Sequence, residues 1–452
     1  MSISIVSDDT LPQRLADLSE RLSASGGVVT PAQRDMTRRV FGEDLSPQEV
    51  AATIAADIRD CGDAAVADYL ERFDGPRLSP NAFRVPENDL ARAHAVVSPE
   101  FLAAVKRSAE NARLYQEHFR PASLPAREPG KGVRLDMRCR PLNRVGIYVP
   151  GGTAPLCSTV IMIAVPAQVA GVPQIAVATP CGPKGQVANA LLATAWELGI
   201  GEVYRVGGVP GIAALALGTE SIPRVDKIAG PGNTFVQAAK KEVYGAVDID
   251  MIAGPSEILV IADETASAAF CAADLLSQAE HDPGASVLLT PSVELAKATA
   301  DEVDRQAAQL SRSDAARQCI EQYGLIGVTK DLDECVELAN RFAPEHLEVM
   351  TQDPDALLSD LRNYGTVFLG AYTPEPVGDY IAGPSHVLPT GGSARFYSGL
   401  SFHDFLKRSS VISYSREALA DAVDDICRLA DAEGLDAHSR SARIRFEAEG
   451  EA

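Results

Sequence analysis

The pattern of apolar and polar positions changes character at Arg144. Before it, residues 1–45 read as a run of short helices, 3.6-residue periodicity marks helices at 47–73 and 98–116, and 121–143 reads as irregular. After it, short β runs alternate with helices. A strand at 144–149 ends in Pro150-Gly151-Gly152 and is followed by an apolar helix near 158–170. A strand at 174–179, a helix at 186–198, a strand at 202–206 and a helix from near Gly211 come next. The alternation resumes with strands at 286–291, 324–329, 347–351 and 366–370, separated by helices at 293–311, 332–342 and 355–361. Strands that alternate with helices of this length imply a parallel sheet covered on both faces. Glycines at the strand ends let backbone approach a ligand along the carboxyl edge.

From 401 onward the pattern differs. Ser415 is placed to cap a helix whose apolar positions Leu419, Val423, Ile426 and Ala430 keep the helical period, and Gly434 ends it. This arm is too thin to own a core, so it is expected to pack on another domain or another subunit. The expected class is α/β: two Rossmann-like, doubly wound parallel-sheet domains with a helical N-terminal extension and a C-terminal arm. The expected boundaries are 1–45 for the extension, 46–143 with 258–400 for one discontinuous domain, 144–257 for the other, and 401–452 for the arm.

Composition narrows the function. With 452 residues, 46% apolar and 23% charged, the chain is an ordinary globular sequence too long for one core. No apolar run approaches the ~20 residues of a membrane span, and the start lacks the basic and apolar regions of a secretory signal. A cytoplasmic protein is expected. The eight cysteines are scattered without metal-site spacing, which suits reduced thiols. A net charge of −21 argues against binding nucleic-acid backbone.

Candidate chemistry sits in a few short stretches. Only seven histidines occur in the chain. Gln278 and His281 are three apart at the end of a helix expected at 268–281, so they share a face. Helix C-termini carry partial negative charge, and an imidazole with an amide oxygen suits zinc or a similar metal. The alternative is a solvated polar helix end. Glu345 and His346 stand side by side before a strand; an imidazole can take a proton and a carboxylate can polarise water. Alone, the pair reads more readily as a surface acid and a capping histidine. Asp379 and His438, the latter with Glu433 nearby, are either ligands or turn and helix caps. Spacing does not show that these positions converge. Gly230-Pro231-Gly232-Asn233 opens a helix at 234–244 and is either an anion site or a tight turn. Ser256, before a buried strand at 258–261, could orient a polar substrate. No GxGxxG follows any expected strand.

Taken together these stretches resemble the histidinol dehydrogenase family. The matching segments are Arg144-Val-Gly-Ile-Tyr-Val-Pro-Gly-Gly152, Lys227-Ile-Ala-Gly-Pro-Gly-Asn233, the run 252–263 from Ile252 to Asp263, Ala273-Asp-Leu-Leu-Ser-Gln-Ala-Glu-His281, Ala343-Pro-Glu-His-Leu347, Gly378-Asp-Tyr380, His386-Val-Leu-Pro-Thr390 and Gly434-Leu-Asp-Ala-His438. The resemblance implies oxidation of an amino alcohol to the aldehyde and then the carboxylate with two NAD. It implies one zinc held by Gln278, His281, Asp379 and His438, with Ser256, His346 and Glu433 also touching the substrate, histidinol. It further implies that His346 takes the alcohol proton and that Glu345 activates water. By the same resemblance Tyr148 and Asn233 are expected to touch the cofactor, and the arm to reach the partner's site in a homodimer. Two stretches depart from the family's usual pattern. Gly207-Gly208-Val209-Pro210 stands where the family usually has Gly-Gly-Ala-Gln, so a cofactor-binding position carries Pro210. Gly383-Pro384-Ser385-His386 replaces the common Gly-Thr-Asn-His.

Overall fold

Two parallel sheets with the same winding order carry most of the chain. In the computed structural model, which describes residues 3–23, 29–73, 75–120, 126–151, 156–280 and 283–447, the strands of the first sheet run Val203–Tyr204, Gln174–Ala178, Arg144–Tyr148, Lys227–Ala229, Asp248–Ile249. Every pair is parallel. The chain starts in the middle, winds out to one edge, then returns and winds to the other. The switch therefore falls between Arg144–Tyr148 and Lys227–Ala229, where the ends of two neighbouring strands are left open to a ligand.

The second sheet repeats this order. Ser256–Ala262 lies in the middle, Gly284–Thr290 and Gly324–Val328 on one side, His346–Met350 and Thr366–Leu369 on the other. Its central strands are buried on both faces and read as unbroken apolar runs, Ile258 to Ile261 and Val287 to Leu289. A sixth strand, Ser4–Val6, pairs in parallel with Gly324–Val328, and Leu11, Leu15, Leu18 and Leu22 of helix Leu11–Leu22 enter the same core. The N-terminal segment, expected to be helical only, is thus partly a strand of this sheet.

The helices before Arg144 also pack differently from expectation. The pattern at 47–73 forms two helices, Pro47–Cys61 and Asp63–Arg72, separated at Gly62 with φ +53°. Ser46 and Glu49 cap the first reciprocally. Val50, Ile54, Ile58, Val66 and Tyr69 share a core with Ile212, Leu215, Val236 and Val243 of the first sheet's helices. Helix Glu87–Val96 packs on Asn189–Glu197, and Pro99–His118 on Cys157–Ala170. Residues 47–118 therefore cover the 144–257 sheet instead of joining 258–400, because their apolar faces complete that core.

Contacts divide the chain into Met1–Phe119 with Leu142–Phe405, which holds both parallel sheets, and Arg120–Pro141 with Leu406–Ala452. In the second unit Leu406–Tyr414, Val133–Pro141 and Arg127–Gly130 form an antiparallel sheet, and helix Arg416–Ala432 packs on Asp436–Glu447. The expected Ser415 cap is present, accepting the Ala418 N–H at 3.2 Å. The strands at 127–141 replace the expected irregular stretch. Their residues are exposed or half-buried on both faces, so no alternation of polarity marks them.

Candidate active site

The site assembles at the amino ends of the second sheet's two switch strands. Helix Leu332–Phe342 ends at Ala343 in the left-handed conformation, φ +57°, the only described non-glycine residue with positive φ. That turn aims Pro344 and Glu345 into strand His346–Met350, which lies beside Ser256–Ala262. Glu345 and His346 are both buried.

Glu345 is held from two directions. Its Oε2 accepts the Ser256 hydroxyl and, at 3.1 Å, the Glu257 N–H. Glu257 returns the arrangement: its carboxyl accepts the backbone N–H of Glu345 and those of Gly391, at 3.0 Å, and Gly392. Each acid thus takes the other's backbone proton donor. Burial holds the Glu345 carboxyl well above its ordinary range; Ser256 and the Glu257 N–H pull it back, while the charges of Glu257 and Asp379 push it up further. Burial likewise pushes Glu257 up to about 8 against its N–H donors.

His346 bridges this pair to Asp379. Its Nδ1 lies 3.7 Å from Glu345 Oε2 and its Nε2 3.9 Å from Asp379 Oδ1. Asp379 sits on the short helix Glu375–Tyr380, one turn after Glu375. One ligand atom from each of His346, Glu375 and Asp379 falls within 4.8 Å of the other two. Burial pushes Asp379 up to about 6, with a hydrogen bond from Glu375 opposing it. His386 Nδ1 is 3.1 Å from the Asp379 carbonyl oxygen, and its Nε2 is 3.4 Å from Thr159 Oγ1 of helix Cys157–Ala170.

More carboxyls lie behind. Ser277 Oγ donates to Glu375 at 3.2 Å, and the Glu375 N–H donates to Glu348 Oε1 at 2.7 Å. Glu348 and Asp274 share a hydrogen bond; burial raises both, Asp274 to about 6. The charges felt most strongly by Glu345 and Glu348 are all negative. A cation is the group such a set lacks.

Gln278 supplies a direct test of that. It is the last residue of helix Ala268–Gln278, 1% exposed, and neither side-chain amide atom has a partner among the described residues. A buried amide with nothing to bond costs about 1–3 kcal/mol, and a helix C-terminus favours positive charge. An oxygen ligand to a metal accounts for the amide oxygen, so the donor set fits a borderline divalent ion.

The expected residues are therefore distributed as follows. Ser256, Glu345, His346 and Asp379 meet in one cluster, with Ser256 bound to Glu345. Gln278 adjoins the cluster through Ser277. His281 lies outside the described residues. Glu433 and His438 are exposed residues of the second unit, at the end of helix Arg416–Ala432 and on helix Asp436–Glu447. The cluster His346, Glu375, Asp379 overlaps the expected metal set only at Asp379.

The residues missed from sequence had signals. Glu375 precedes Asp379, and Asp274 precedes Gln278, by four positions on a helix; Glu348 follows His346 by two on a strand. Each spacing puts the missed acid on the functional face. His386 was visible only as part of a loop motif.

At the first sheet, Tyr148 ends one switch strand and Gly230 follows the other. The Tyr148 hydroxyl accepts the Gly208 N–H at 2.9 Å, and burial pushes its pKa up to about 12. Asn233 caps helix Thr234–Val243, its Oδ1 accepting from Phe235 and Val236 N–H, both at 3.1 Å. Those two donors are therefore engaged by the cap. Pro210 is the third residue of helix Gly208–Leu217, where an N–H would have no partner within the helix, so the ring fits without breaking it. No described helix is long and apolar enough to cross a membrane.

A family profile described as histidinol dehydrogenase matches residues 38–446. Histidinol dehydrogenase from Rhodopirellula baltica is 47% identical over 435 residues, 96% of this chain and 94% of the relative. The Geobacillus kaustophilus histidinol dehydrogenase is 52% identical over 395 residues, 87% of this chain and 92% of the relative. The crystal structure of histidinol dehydrogenase from Elizabethkingia anophelis superposes with a TM-score of 0.88 at 34% identity, covering 99% of this chain and 98% of that one.

Proposed function

Since the chain belongs to the histidinol dehydrogenase family and is an oxidoreductase of histidine biosynthesis, we propose that it oxidises L-histidinol through L-histidinal to L-histidine with two NAD. The observation that carries this reading is the buried joining of Glu345 and His346 to Asp379, together with a buried amide, Gln278, that has no partner among the described residues.

His346 takes the hydroxyl proton as the alcohol becomes the aldehyde. Glu345 takes a proton from the water that adds to the aldehyde, giving the hydrate that is oxidised in the second round. Burial suits Glu345 to this, since a carboxyl raised above its ordinary range is a stronger base once ionised. Ser256 orients Glu345 and, on its free side, the substrate. His386 holds the main chain at Asp379. Gln278, His281, Asp379 and His438 are the proposed holders of a zinc ion, whose chemistry here is that of a template for the imidazole and amino nitrogens of histidinol. The arm of a second copy in a homodimer delivers His438 and Glu433. NAD, bound along the carboxyl edge of the first sheet at Tyr148 and Asn233, supplies the hydride acceptor of each oxidation.

The test separates the two half-reactions. His346→Asn is expected to slow histidinol oxidation by about 10²–10⁴-fold and to spare histidinal oxidation more; Glu345→Gln should do the reverse. NADH formation from each substrate is the readout. Equal losses in both half-reactions for both variants would remove the division of labour.

A further inference from the structure

Lys240 is 1% exposed, which is rare for lysine, and no step above uses it. It projects from helix Thr234–Val243 beneath the loop 230–233 that opens that helix. Its Nζ pairs with Asp250 Oδ1 and donates to the Gly230 carbonyl at 3.0 Å. Asp250 Oδ2 accepts the Gly230 N–H at 2.8 Å, and its Oδ1 accepts the Met251 N–H at 2.7 Å. Both polar backbone atoms of Gly230 are thus gripped by the two halves of one ion pair. Gly230 has φ +139°, and a Cβ there would come within 2.0 Å of the Tyr148 carbonyl oxygen. One turn before Lys240, Gln237 donates to the Gly232 carbonyl at 3.3 Å and accepts the Ala253 N–H at 3.1 Å. The inner face of the helix therefore ties down two carbonyls of its own entry loop.

We propose that Lys240 and Asp250 are positioning residues for the dinucleotide: a buried ion pair that locks Gly230 against strand end Tyr148 and so fixes the loop through Asn233 that receives NAD. This rests on the reading that the first sheet's carboxyl edge takes NAD. The pair is neutral as a whole, so it offers an anionic ligand little net field; its effect is on backbone geometry. A buried ion pair is often replaced by apolar side chains of similar volume without loss, whereas removing one partner strands the other charge. What an apolar pair cannot reproduce is the two-sided grip on Gly230.

Two variants exploit that difference. Lys240→Met alone leaves Asp250 unpaired and is expected to lower the unfolding midpoint. The double variant Lys240→Met/Asp250→Leu removes the stranded charge but leaves the Gly230 N–H and carbonyl without their side-chain partners, so its midpoint is expected to rise above that of Lys240→Met while staying below the parent value, and its KM for NAD to rise about tenfold, with kcat and the histidinol KM within about twofold. Unchanged NAD KM in a folded double variant overturns the proposal; so does an equal fall in kcat and rise in both KM values, which would mark general loosening. Tyr148→Phe and Asn233→Ala serve as references. If these raise the NAD KM and the double variant does not, the brace alone fails. If neither reference moves it, the location of the NAD site fails instead.

Discussion

The two parallel sheets share a strand order, and the proposed chemistry uses opposite edges of them. In the first, the residues assigned to the cofactor lie where the switch strands end, at Tyr148 and Gly230. In the second, the reactive side chains lie where the switch strands begin, at Ser256 and His346. Right-handed winding gathers helix N-termini along the carboxyl edge and helix C-termini along the amino edge. One edge therefore offers partial positive charge, suited to an anionic dinucleotide, and the other partial negative charge, suited to a cation. The same topology thus supplies two electrostatically opposed edges. The second edge reinforces its sign with Glu257, Asp274, Glu345, Glu348, Glu375 and Asp379, whereas the first encloses a charge-balanced pair, Lys240 and Asp250.

That asymmetry predicts where pH acts. In the metal-free protein, burial places Glu257 at about 8 and Asp274 and Asp379 at about 6, all above their unfolded values. A raised carboxyl favours the folded state fully at low pH, below its unfolded pKa, and that advantage disappears as pH rises through the folded pKa. The unfolding midpoint of chelator-treated protein should accordingly fall from about pH 4, where the unfolded carboxyls begin to ionise, to about pH 8, where Glu257 ionises in the folded state. Zinc should offset the Asp379 share, and Glu257→Gln should flatten the portion between about pH 6 and pH 8. A midpoint that rises over this range would break the contrast between the edges. The smallest effect belongs to the other edge: Pro210→Gln should lower the NAD KM by about two- to fivefold, as one added amide hydrogen bond allows, with kcat unchanged. A change in histidinol KM instead would place that position at the wrong site.

Much of this could be read from the chain, for identifiable reasons. Strands were legible where runs such as 144–149, 174–179, 202–206 and 366–370 end in glycine or proline, and helices where an apolar stripe keeps the helical period; Leu332–Phe342 fell where the pattern put it. The Arg127–Pro141 strands were not, because neither face is buried. Nor could periodicity say which sheet residues 47–118 would cover, since an apolar stripe fits either core. In the site, Glu345, His346 and Asp379 were legible from motif resemblance. Their convergence was not, because it depends on two strands and a helix from distant parts of the chain meeting at one edge. Glu257 reads as an ordinary strand residue until its exchange of N–H groups with Glu345 is seen.

The central claim is that one site carries an alcohol to a carboxylate in two successive oxidations, and the most direct measurement is NADH formed per histidinol consumed at complete turnover. Two NADH per histidinol, with histidine as the product, is the predicted result. One NADH per histidinol with histidinal accumulating would contradict it.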